Sequence, residues 1–73
     1  MEVYDFITAD QIEGPNENNN NKGDQVFIEN DPIEVSKVVD SGDSILVKGY
    51  SHMSGDDVTY ILTADMEVGL WGA

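Results

Sequence analysis

Ser51, His52, Ser54 and Asp56 fall within six residues of one another, the one stretch where a hydroxyl, an imidazole and a carboxylate occur together. In a relay, those groups would activate a serine nucleophile. Residues this close in one turn rarely aim at each other, however, and no strand-to-helix elbow presents either serine. No catalytic residue is assigned, and the chain is read as non-enzymatic. A second set of candidates is Asp40, Asp43, Asp56, Asp57, Asp65 and Glu67, whose oxygens suit a hard cation such as calcium. Their spacing lacks the alternating acids, glycine and closing glutamate of a calcium loop, so neither a metal site nor a cofactor is expected. Paired acids acting on a glycosidic bond would need a cleft that 73 residues scarcely provide.

The aromatic residues are better placed for binding. Phe27 and Tyr50 alternate out of the apolar faces of their segments, and Trp71 lies two residues from the end of the sequence. Exposed among acids, such rings suit a protein interface, which makes Phe27, Tyr50, Asp56, Asp57 and Trp71 the candidate binding residues. The alternative for Trp71 is a ring folded back to plug the end of the domain.

Charge narrows the partners. Fifteen Asp and Glu stand against three lysines and no arginine, for a net charge of -12. Lys22, Lys37 and Lys48 are too few to neutralise a phosphate backbone, so neither direct nucleic-acid binding nor an anionic membrane surface is expected. A basic protein surface is the expected partner. Cysteine is absent, which excludes disulfides and thiolate chemistry. Glu2 and Asp5 stand where a secretory leader would be basic, and no apolar run is long enough to span a bilayer; the expected location is the cytoplasm.

The elements that must position these residues are strands. Short clusters rich in Val, Ile and Tyr, separated by Gly, Asp, Asn and Ser, predict strands over Gln25 to Glu29, Ile33 to Asp40, Ser44 to Tyr50, Asp57 to Leu62 and Glu67 to Trp71. Asn30-Asp31-Pro32 and Asp40-Ser41-Gly42-Asp43 are the expected turns. Val26, Ile28, Ile33, Val35, Ile45, Val47, Val58, Tyr60 and Leu62 form the expected core by alternation. Alternation breaks between Val35 and Val38, predicting a bulge at Ser36-Lys37 that would bend the sheet toward closure. Ahead of these, Val3 to Ile7 reads as a short strand leading into one helical turn capped by Thr8 and pinned by Ile12. Residues 14–23 are polar and Asn-rich, and predict a flexible loop. One all-β domain of five or six strands, over residues 1–73, is expected.

The run Gly23-Asp24-Gln25-Val26-Phe27-Ile28, followed by Pro32 to Val38, a second Gly-Asp turn and Ile45-Leu46-Val47-Lys48, resembles the small SH3-like barrels of KOW-type modules and of the first domain of translation elongation factor P. The resemblance implies a barrel. It does not carry over the basic RNA-facing surface, because this chain holds charge -8 in residues 1–36 and -4 in residues 37–73. In overall style the sequence also resembles small acidic accessory proteins of bacteriophages, which would place it in the host cytoplasm. The leading functional expectation is an acidic module that docks on a basic surface of a host or viral protein. Two alternatives stand beside it: a DNA mimic that occupies a nucleic-acid-binding protein, and a structural or assembly protein that forms homo-oligomers.

Overall fold

The computed structural model describes residues 2–72. They form six strands: β1 (Glu2–Thr8), β2 (Gln25–Ile28), β3 (Asp31–Asp40), β4 (Ser44–Ser51), β5 (Asp57–Thr63) and β6 (Glu67–Gly72). All pair antiparallel in one sheet of order β1-β6-β2-β3-β4-β5. The domain is therefore all-β, and its only helical pieces among the described residues are 3-10 turns at Ala9–Gln11 and Glu17–Asn19. None of these could cross a membrane.

The sheet does not close. β1 and β5 are its two edges, so the closed ring expected from the bent β3 is replaced by an open, bent sheet. The bend itself lies where the broken alternation put it: the β3–β4 register shifts between Val35 and Lys37, and Ser36 Oγ donates to Lys48 O at 3.1 Å. In place of a ladder between the edges, the turn after β1 docks on the β5–β6 connection, with Ala9 N donating to Met66 O at 2.8 Å and Asp10 N to Ala64 O at 3.1 Å. Ala9 and Ile12 are buried there, covering the core where a closing strand pair would otherwise stand. Thr8 stands at the N-cap of this turn as expected, and its N–H donates to Gln11 Oε1 while its hydroxyl turns to Asp10.

Alternation builds the inner face. Val26, Ile28, Ile33, Val35, Ile45, Val47 and Leu62 are buried, Val58 and Tyr60 are half-buried, and Val68 completes the cluster from β6. The first hairpin turns one step earlier than expected. Glu29 and Asn30 are its two central residues, both at positive φ (52° and 67°), while Asp31 and Pro32 begin β3. Pro32 has no N–H to give, and the β3–β4 ladder ends beside it at the Ile33–Ser51 pair; its carbonyl accepts from His52 N. The second turn is as expected, with Gly42 at φ 90° and its N–H donated to Asp40 Oδ1.

The Asn-rich segment is held by its own side chains. Asn16 Oδ1 accepts from Asn18 N, Asn19 Oδ1 accepts from Asn16 N, both side-chain amides donate to Gly14 O, and Asn20 and Asn21 take the left-handed conformation. Asparagine is the residue type that does all of this at once, which gives the low-complexity run a physical reason. Its base is clamped by Glu13 and Asp24, which bond through backbone and side chain, and by Val35 N donating to Asp24 O. Gly23 is required at that clamp because a Cβ would overlap the Val35 carbonyl.

Candidate outer-face groove

The pairing register lines up Gln25, Glu34, Tyr50 and Asp57 straight across β2, β3, β4 and β5. Each alternates with an inward-facing neighbour, so the row lies on the outer face. It belongs to an open groove of about 610 Å³ that is also lined by Trp71, Tyr4 and the base of the Asn-rich loop, including Lys22 and Asp24.

A run of rings underlies the row. Trp71 is only 2% exposed, yet it alternates with Val68 and Leu70 and stands outside the aliphatic core cluster. Its indole N–H donates to Val26 O at 3.0 Å, which fixes the ring on the sheet. Phe27 packs at 6.1 Å from it, His52 meets it edge-on at 5.3 Å, and Tyr50 meets His52 edge-on at 5.4 Å. Phe27, Trp71, His52 and Tyr50 thus form one continuous contact, and His52 is also tied to Glu34, with Nε2 2.8 Å from Oε2.

Of the five residues singled out from sequence, Tyr50, Asp57 and Trp71 line this groove. Phe27 is half-buried against Trp71, and Asp56 lies in the β4–β5 turn, where its carbonyl accepts from Ser51 N. Trp71 is neither the exposed ring nor the end plug expected of it: it is buried against the outer face of the open sheet, held by Val26 O, and is among the residues that line the groove. Sequence reasoning missed Glu34 and weighed His52 only for catalysis, not as part of this run of rings. Strict alternation through Ile33-Glu34-Val35 was a usable signal for Glu34; nothing local marks His52, since the rings it touches come from β4 and β6.

Ser51 and His52 part company. Ser51 is fully buried on the inner face, where Oγ donates to Asp31 Oδ1 at 2.5 Å and accepts from Met53 N and Ser54 N. Asp31 is itself only 6% exposed and takes a second donor, the Tyr60 hydroxyl, at 2.7 Å. That hydrogen bond holds the Tyr60 phenol above its ordinary range, with partial burial and the negative charges of Asp31 and Glu29 pushing the same way. Every buried side-chain polar atom among the described residues has a partner, which makes this trio a structural joint. The acids weighed for calcium do not converge: among the described residues no three His, Asp or Glu side chains gather in a metal-binding arrangement.

Comparison of the chain with protein-family models, with curated proteins and with solved structures finds no match.

Proposed function

We propose that this is a non-enzymatic acidic interaction module whose outer-face groove receives a basic segment of another protein. The observation that carries it is the Glu34–Tyr50–Asp57 row: two carboxylates flank an exposed phenol across adjacent strands, in a groove also lined by a tryptophan fixed on the sheet. A guanidinium or ammonium group can pair with the acids and lie against the ring, gaining from both contacts. The overall charge of -12 steers such a partner inward and disfavours acidic competitors. We read the β6-β2-β3-β4-β5 succession with its bulged β3 as an SH3-like barrel variant, to which β1 adds an edge.

Mimicry of DNA is less well supported, because the domain measures 30 × 27 × 24 Å and has no elongated face on which to string carboxylates at phosphate spacing. Assembly into homo-oligomers has one observation in its favour, the unpaired edge of β5 with Ile61 73% exposed. Sedimentation as a monomer at high concentration removes it. The groove is tested with Trp71 as reporter: a tetra-arginine peptide should change its fluorescence saturably at low salt. The double variant Glu34→Gln, Asp57→Asn should weaken that response by about tenfold. A response that the double variant leaves intact would show that the peptide binds elsewhere.

A further inference from the structure

The outer face carries a second, separate depression of about 380 Å³, on the β1-β6-β2 side of the sheet. Its register is a straight row, Phe6 on β1, Gly69 on β6 and Phe27 on β2, so that a residue without a side chain lies between two phenyl rings. Val3 completes the wall. A Cβ placed on Gly69 would come within 3.0 and 3.1 Å of the Val3 methyls and 3.7 Å of Phe6 Cε1, so even one carbon at that position begins to fill the slot. Phe6 remains 60% exposed and Val3 42%, an unusual expense of apolar area on a chain this acidic. The rim is polar, with Glu29 and Glu67 among its residues.

We infer that this slot seats one apolar side chain carried on a lysine- or arginine-bearing segment of a different protein. The walls select the apolar group and the two glutamates select its cationic neighbours. A second copy of this chain fits poorly, because it would bring another acidic surface, net charge -12, against the same rim. The segment lies across the face and does not add a strand to β1, because the bulge that shifts the β1–β6 register between Val3 and Asp5 breaks the regular alternation of β1 that an added strand would need. The slot is independent of the acidic groove: it has other walls and another selecting group.

The test is a titration of isotope-labelled protein with three acetylated, amidated pentapeptides, followed through backbone amide shifts. Lys-Lys-Leu-Lys-Lys should move Phe6, Phe27 and Gly69. Lys-Lys-Ser-Lys-Lys should bind there about tenfold more weakly, and Glu-Glu-Leu-Glu-Glu should leave those signals still. Gly69→Val should abolish the shifts by filling the slot. Should that variant fold poorly, Phe6→Ser, at an exposed position, should weaken binding by a similar factor. Glu34→Gln with Asp57→Asn should leave slot binding unchanged, which separates a failure here from a failure of the groove. Equal binding of the leucine and serine peptides, or shifts from the leucine peptide that avoid Gly69, would overturn the proposal.

Discussion

Asp31 holds the lower end of the core together from a position that its neighbours disguise. Between Asn30 and Pro32 it reads as a turn residue, and only the register of the hairpin reveals that it faces inward with Ile33 and Val35. Its two acceptors serve hydroxyls from β4 and β5, partners 20 and 29 residues away, which no local pattern could show. Asp31→Ala strands both hydroxyls and should lower the unfolding free energy by about 3 kcal/mol, measured in urea. Tyr60→Phe loses one bond and leaves one carboxylate oxygen unpaired, a cost of about 1–2 kcal/mol. The Tyr60 proton also sets an alkaline limit. Its folded pKa lies above the unfolded value near 10, so the proton contributes stability below that pH and the contribution is lost as pH rises through the folded value. Stability of the native chain should therefore fall more steeply in strong alkali than that of Tyr60→Phe.

At the scale of elements, the strands after residue 24 were legible because alternation and β-branched residues agree with the turns between them. All five lie within two residues of the expected bounds at both ends, and the bulge at Ser36 follows from Val35 and Val38 being three apart. What the pattern could not reveal was how the sheet's edges are treated, since covering the gap with Ala9 and Ile12 and closing it with a ladder bury similar residues. The Asn-rich loop was also opaque, because its shape rests on side-chain bonds to backbone groups that polar composition alone does not disclose. The hairpin at Glu29–Asn30 carries a cost the sequence does not advertise. A glutamate at φ 52° has no local compensation of the kind asparagine or glycine enjoys. Replacing the pair with Asn-Gly should raise stability by about 1 kcal/mol, seen as a higher urea midpoint with an unchanged slope.

For the whole molecule, the sign of the charge was plain from composition and its arrangement was not. Fifteen acids spread along the chain could have formed a uniform shell; pairing β3, β4 and β5 in register instead puts Glu34 and Asp57 on either side of Tyr50. Long-range attraction between this surface and a cationic partner is screened within about 8 Å at physiological ionic strength, so encounter rates should fall steeply as salt rises. The most direct test maps a tetra-arginine peptide onto the labelled protein by amide shifts at low and at high salt. Our proposal predicts shifts concentrated at Gln25, Glu34, Tyr50, Asp57 and Trp71 that fade as salt is added. Shifts scattered evenly over the acidic surface, or a pattern indifferent to salt, would contradict it.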